Sequence, residues 1–444
     1  MSRQPARKVV DAVSAEFREL EIPLRDEPPD GPIGWPGYRE AREAASSRTG
    51  EAESVVCGTA KIGEAEAVLI AFEFGYLGGS LGQRTGDRIE AAFTHARERR
   101  LPVVSLIATG GSRMQQGMRA LTQLQRLARA AALTRAAGIP QISVLRDPTT
   151  GGGWATLGAG ADVVLALPGA QVGFAGSRVR PEGSPGAYTA EAKFAWGQVD
   201  RIVTLENLGA TLERWLRLLT SRTSAAAPPP NALRTAALPS TGWDAVRAAR
   251  SADRARAPEY LDAYFDWREE ISGDRCGGVD PGVECGIGWR DGRAIAYAAQ
   301  CGTPTLPSGF RTATRLIRLA ARLNIPVLTL VDTPGAANDA AAEEAGAGPA
   351  IADLFEAIAS APVPVTTLVV GEGGSGGALA FAAPGSTWVA PDAYFSVTSP
   401  EAAAAILKLP ASEAPALADR LRLRPQDLVD LGIARAVVSP DAHV

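Results

Sequence analysis

Four glycines fall within five positions at Gly373-Gly374-Ser375-Gly376-Gly377, between the β-branched run Val365 to Val370 and the helix-favouring Ala378-Leu379-Ala380-Phe381. A strand that ends in a bare turn and restarts as a helix leaves backbone amides unpaired, at the positive end of the helix macrodipole. With no Cβ in the way, such amides suit an oxyanion or a phosphate. Two phosphate motifs are set aside. A Walker loop needs Gly-Lys-Ser/Thr, and no lysine lies between Lys193 and Lys408. A dinucleotide fingerprint would place an acid about 20 residues on; Asp392 is there, but Pro391 precedes it and the glycine spacing is wrong. Alone, the turn serves tight packing as readily as a ligand.

The turn is not alone. Pro102 to Thr109 ends at Gly110-Gly111-Ser112, before a helical stretch from Met114 to Ala136. Pro140 to Leu145 ends at Asp147-Pro148-Thr149-Thr150-Gly151-Gly152-Gly153, before Trp154-Ala155-Thr156-Leu157. Pro326 to Gly335 matches the first of these and Pro364 to Gly377 the second, each 224 residues later. Two strand-turn units at one shared offset indicate a duplicated domain. Alternating strand and helix segments predict an α/β fold. Residues 1–53, charged and broken at Asp26-Glu27-Pro28-Pro29-Asp30-Gly31-Pro32, read as an arm with a helix near Val9 to Leu20. Ala67 to Phe72 is the first buried strand. The expected domains are then 54–222 and 241–444, joined by an exposed stiff linker, 223–240, that holds Ala225 to Pro230.

The 444 residues are 46% hydrophobic and 21% charged, as in a soluble globular protein. A net charge of -4 without a sustained basic run argues against nucleic acid as a partner. No window reaches the ~18 uncharged apolar residues of a membrane span, and the polar N-terminus lacks a signal-like apolar region, so a cytoplasmic protein is expected. Cys57, Cys276, Cys285 and Cys301 form no Cys-x-x-Cys pair, so no zinc is expected. Histidine is limited to His95 and His443, which disfavours a histidine base. His95 falls in the polar helical stretch Arg88 to Arg100 and reads as solvated. Asp332 and Glu372 read as caps of the turns they precede, and Arg113 as a helix-surface arginine. Two Gly turns per domain could instead hold one oxygen that turns negative during reaction, where losing a donor costs ~10²–10³ in rate. A thioester enolate fits, because its charge sits on that oxygen.

The first half resembles the β subunit of bacterial acetyl-CoA carboxylase carboxyltransferase, in Phe72 to Gly82, Gly110 to Gln115, Ile142 to Thr149 and Gly173 to Gly176. The second half resembles the α subunit, in Asp332-Thr333-Pro334-Gly335-Ala336, Gly371 to Leu379 and Tyr394 to Glu401. The resemblance covers about residues 55 to 440 and implies two tandem crotonase-like ββα superhelix domains. It implies transfer of a carboxyl group from carboxybiotin, on a biotin carboxyl carrier protein, to an acyl-CoA, acetyl-CoA by default. Gly110 and Gly111 would hold the thioester enolate, with Gly152, Gly153 and Arg113 on the acyl-CoA side. Gly376, Gly377 and Ala378 would hold the biotin ureido oxygen, with Gly374 and Ser375 beside them. The biotin anion left after CO2 release would take the α-proton, so no side-chain base is needed. Carrier and biotin carboxylase would be separate chains, since no biotinylation motif surrounds Lys8, Lys61, Lys193 or Lys408. A homodimer or larger is implied, each active site lying between the first domain of one chain and the second of another. The family's four-cysteine zinc ribbon is not matched, and Ala337 to Gly346 departs from the family's Tyr-Pro-Gly continuation. The competing readings are a biotin-independent malonyl-thioester decarboxylase and a non-catalytic scaffold subunit.

Overall fold

A computed structural model of the protein describes residues 4–180, 183, 185–234 and 237–440, so His443 lies outside the described residues. The chain divides into two compact units, Met1–Thr220 with Arg275–Gly277, and Ser221–Asp274 with Gly278–Val444.

The first unit carries strands β1 (Glu16–Glu19), β2 (Val55–Ile62), β3 (Ala65–Phe72), β4 (Val103–Thr109), β5 (Gln141–Thr150), β6 (Val163–Ala166), β7 (Val172–Gly173) and β8 (Arg201–Ile202). They form one sheet in the order β1-β2-β3-β4-β5-β6-β8, with β7 against the far end of β5. The β2–β3 pair is antiparallel and the strands from β3 to β8 are parallel. Every residue of β4 is buried, as expected of a parallel strand covered on both faces, and that is why it reads as an unbroken apolar run. Helix Gln83–Arg99 covers the sheet with Ile89, Ala92, Phe93 and Ala96, the i, i+3, i+4, i+7 stripe. Burying Ile89 and Phe93 stabilises the unit by roughly 1.5–3 kcal/mol each.

The second unit repeats this plan with β9 (Trp267–Ile271), β10 (Val283–Arg290), β11 (Arg293–Gln300), β12 (Val327–Thr333), β13 (Val365–Gly374), β14 (Thr387–Val389) and β15 (Tyr394–Ser396). The order is β14-β13-β12-β11-β10-β9, with β15 against the end of β13. The registers Val103↔Gln141 and Val327↔Val365 differ by the same 224 residues. Both pairs then slip by two residues. Ile107↔Leu145 is followed by Thr109↔Thr149, and Val331↔Val369 by Thr333↔Gly373. The slip bends each strand just before its Gly turn.

Three sequence expectations change. The N-terminal residues are not a free arm. A helix spans Ala6–Val13 rather than Val9 to Leu20 and buries Ala6, Val9, Val10 and Val13, and β1 then pairs antiparallel with β2. The Pro/Ala stretch is exposed at Ala225, Ala226 and Pro228, as expected, but it is not free of the second unit, because its carbonyls are anchored there. Ala225 and Ala226 accept from Arg293, Ala227 from Thr366 and Pro228 from Tyr264. Met114 to Ala136 is three pieces, Met114–Gln116, Met118–Leu121 and Gln123–Ala136.

Candidate functional site

In the first unit the two Gly turns meet: a Cβ on Gly151 would lie 3.1 Å from the Cα of Gly111. Their amides are in different states. Gly110 N donates to Gly78 O at 2.9 Å, and Gly111 N donates to Thr109 Oγ1 at 3.0 Å. The expectation that these two amides form the oxyanion hole is therefore corrected, since both are already spent. Gly111 is glycine because its φ is +105°. The open amides are at Gly152 and Gly153, where the chain turns helical, and among the described residues neither donates to any acceptor. Both glycines are imposed by proximity: a Cβ would stand 2.2 Å from Leu124 Cδ2 at Gly152, and 2.3 Å from Thr109 Cγ2 at Gly153.

The second unit reproduces three bonds of this scaffold. Leu81 N donates to Gly111 O and Arg113 N to Leu81 O; 224 residues on, Thr305 N donates to Gly335 O and Ala337 N to Thr305 O. Thr333 Oγ1 accepts from Gly335 N at 3.1 Å, as Thr109 does from Gly111. Pro334 takes the place of Gly110, so no amide exists there. Among the described residues the amides of Gly376, Gly377 and Ala378 have no acceptor. A Cβ on Gly377 would stand 2.2 Å from Ala336 N, whereas one on Gly376 would meet nothing within 4 Å. Ser375 sits at φ +56°, which a non-glycine residue holds at a cost of order 1–3 kcal/mol. A cavity of about 400 Å³ opens beside Ser375 and Gly376, walled by Leu379, Phe395, Val397 and Leu431. The helix behind this turn is only Ser375–Leu379, so aimed N–H groups rather than a macrodipole define the site.

The expected side chains lie elsewhere. Arg113 is wholly buried, ion-paired with Glu53 and donating to Tyr38 Oη, Ser54 Oγ and Ser80 O, so it cannot reach CoA phosphates. Burial alone would raise the Glu53 carboxyl, yet the Arg113 guanidinium holds it below the usual range. Asp332 is buried against Arg254. Glu372 accepts from Tyr394 Oη at 2.5 Å and Arg250 Nη2 at 3.1 Å, and so is not a helix cap. His95 is half-buried with Nε2 3.3 Å from Thr59 Oγ1. Burial pushes the thiols of Cys57 and Cys301 up to about 12. Among the described residues no group of three His, Cys, Asp or Glu could hold a metal ion, and no helix is long and apolar enough to cross a membrane.

Main-chain amides without an acceptor thus stand at matching turns of the two sheets, and comparisons with known proteins identify the family. Residues 36–273 match the carboxyl transferase domain, and residues 237–442 match the acetyl co-enzyme A carboxylase carboxyltransferase-like family. The chain is 39% identical to the acetyl-coenzyme A carboxylase carboxyl transferase subunits beta/alpha of Salinispora tropica, over 95% of this chain and 80% of that one. It is 33% identical to a probable biotin-dependent acyl-coenzyme A carboxylase beta3 subunit of Mycobacterium bovis, over 97% of this chain and 87% of that one. The transcarboxylase 12S structure superimposes with a TM-score of 0.81 at 19% identity, over 99% of this chain and 86% of that one, which supports the tandem crotonase-like fold. The chain belongs to the carboxyltransferase family and is the carboxyltransferase of an acyl-CoA carboxylase.

Proposed function

We propose that this carboxyltransferase moves a carboxyl group from carboxybiotin, on a separate biotin carboxyl carrier protein, to acetyl-CoA or another short acyl-CoA, giving malonyl-CoA in the default case. The observation that carries the reading is the pair of open-amide turns at matching positions, Gly152–Gly153 and Gly376–Gly377, one for each of the two carbonyls that must become oxyanions. Gly152 and Gly153 would take the thioester oxygen, replacing Gly110 and Gly111 in that role. Gly376, Gly377 and Ala378 would take the ureido oxygen, in a turn bordered by Gly374 and Ser375. The neutral, flat ureido ring suits the open space at Gly376 and the apolar walls beside it. Bound there, biotin supplies the carboxyl group and the base that receives the α-proton. The chain's own work is to orient both carbonyls, to lower the energy of the negative charge on each oxygen and, by its apolar walls, to keep water from the CO2 in transit. A biotin carboxylase on another chain would recharge the carrier, and a homodimer or larger assembly would complete each site.

Purified protein should decarboxylate malonyl-CoA only when biotin is added. Turnover without biotin would mean a simple malonyl-thioester decarboxylase. Absence of acyl-CoA binding by calorimetry, with carrier and carboxylase present, would mean a scaffold subunit.

A further inference from the structure

The slip in β13 interrupts its ladder with β12 across Val370, Gly371 and Glu372, while Glu372 to Gly374 pair with β15 on the other side. A buried ion pair lies over those residues. Arg254 Nη2 donates to Asp332 Oδ1 at 2.6 Å and Oδ2 at 2.7 Å, and neither side chain is more than 2% exposed. The pair grips both strands. Asp332 belongs to β12, and its Oδ1 accepts the Glu372 amide of β13 at 3.2 Å. Arg254 Nη1 reaches Val370 O at 3.4 Å and Ala255 O at 3.0 Å. Nε donates to Ala249 O, tying the assembly to the end of helix Gly242–Arg250. Gly371 is bare to admit the pair, since a Cβ would lie 2.4 Å from Asp332 Oδ1 and 2.5 Å from Arg254 Nη2. The first glycine of Gly371-Glu372-Gly373-Gly374 thus makes room for a charge, while the amides without an acceptor belong to Gly376 and Gly377.

The fold alone does not demand this pair. The first unit makes the same slip with Ala108 at the position of Asp332 and Asp147 at that of Gly371. There the buried guanidinium is Arg146, 4% exposed, which donates to the Phe72 carbonyl at 2.9 Å instead. A buried pair loses much of its Coulomb gain to desolvation and is weak as a stabiliser, but it enforces one geometry. We infer that Arg254 and Asp332 are positioning residues, fixing the direction of the Gly376 and Gly377 amides through the Val370–Glu372 bulge without touching substrate. The inference rests on the reading of those amides given above.

The test compares the wild type with Arg254→Met/Asp332→Asn, which removes both charges of the pair together and with them the donors to the Ala249, Ala255 and Val370 carbonyls, and with the milder Arg254→Lys. Biotin-dependent malonyl-CoA decarboxylation and hydrogen exchange of residues 370–379 are followed in each. The expected result is a kcat lower by about 10²-fold in the double variant, as for a misplacement of about 1 Å, with the KM for malonyl-CoA within twofold and faster exchange confined to 370–379. Arg254→Lys, which keeps the charge but not the fork, falls between. A kcat within threefold of wild type in the double variant, or, should that variant not fold, in Arg254→Lys, overturns the inference. If the wild type itself shows no biotin-dependent turnover, the functional reading falls, and unaltered exchange at 370–379 then overturns the positioning role by itself.

Discussion

Gly376 and Gly377 are adjacent in one turn, and the structure requires them to respond differently to the same methyl group. In Gly377→Ala the new Cβ would lie 2.2 Å from Ala336 N and 2.9 Å from Ala336 Cα and Gly335 C, all of them backbone atoms. The Gly335–Ala336 segment must retreat, and such overpacking costs about 1–3 kcal/mol. Alanine's better helix propensity returns up to ~1 kcal/mol, leaving a net loss of up to about 3 kcal/mol. At the usual scaling for domains of this size, about 2–4 °C per kcal/mol, that lowers Tm by up to roughly 12 °C. Gly376→Ala meets no atom within 4 Å, and Gly376 is not among the positive-φ glycines, so its fold should be as stable as wild type or up to ~1 kcal/mol more so. On the proposed function, however, the open volume the methyl enters is the approach of the ureido oxygen to the amides. Weakening one such donor costs ~10²–10³ in kcat, or about 3–4 kcal/mol. Thermal unfolding and biotin-dependent malonyl-CoA decarboxylation read the two effects separately. A fully active Gly376→Ala, or one destabilised as much as Gly377→Ala, refutes the reasoning.

Further substitutions probe the other assignments. Gly110→Ala, whose amide is already bonded to Gly78 O, should keep activity within about threefold, whereas Gly152→Ala should lose ~10²-fold because its Cβ, 2.2 Å from Leu124 Cδ2, displaces a turn whose amide has no acceptor; the reverse order would return the hole to Gly110–Gly111. Glu53→Gln strands the fully buried Arg113 charge and should lower unfolding free energy by about 3–5 kcal/mol in denaturant melts. Whatever remains folded should bind acyl-CoA with unchanged affinity, and a selective loss of CoA binding would contradict the structural role. Burial raises the Asp392 carboxyl above its ordinary value, with Arg254 lowering and Asp332 raising it further, and its Oδ1 has no hydrogen-bond partner among the described residues. The folded protein therefore holds this proton to higher pH than the unfolded chain, and ionising Asp392 lowers stability as pH rises through the raised value. Asp392→Asn should melt higher than wild type at pH 7–8, and the difference should vanish on acidification toward ~4. A constant difference across that range would exclude the titration as the cause.

The most legible part of the chain was what depends on continuous burial. β4, β12 and β13 are covered on both faces, and a strand so placed has no polar alternation to obscure it. The edge was illegible for the opposite reason: in β1, Glu16-Phe17-Arg18-Glu19, only Phe17 is even half-buried, so the strand looks like loop. The helix before it could have been placed better, because Ala6, Val9, Val10 and Val13 already mark one helical face. The exposure of the Pro/Ala stretch is legible, but its attachment is not, because that runs through main-chain carbonyls and composition reports only side chains.

The site shows the same division between what a residue is and what its backbone touches. Gly-Gly at 110–111 and Gly-Gly at 152–153 are identical as letters. Only the Gly78 carbonyl and the Thr109 hydroxyl, arriving from elsewhere in the fold, decide which amides are left for a ligand. One signal for this was nevertheless printed in the repeat itself. Pro334 occupies the position of Gly110 and has no N–H to give, so a hole used by both copies could never have stood there. Thr109 and Thr333, by contrast, make the same amide-locking bond in each copy. Comparing the two halves position by position therefore separates the shared scaffold, which both copies must keep, from devices such as the Arg254–Asp332 pair, which only one copy has and which the scaffold alone does not explain.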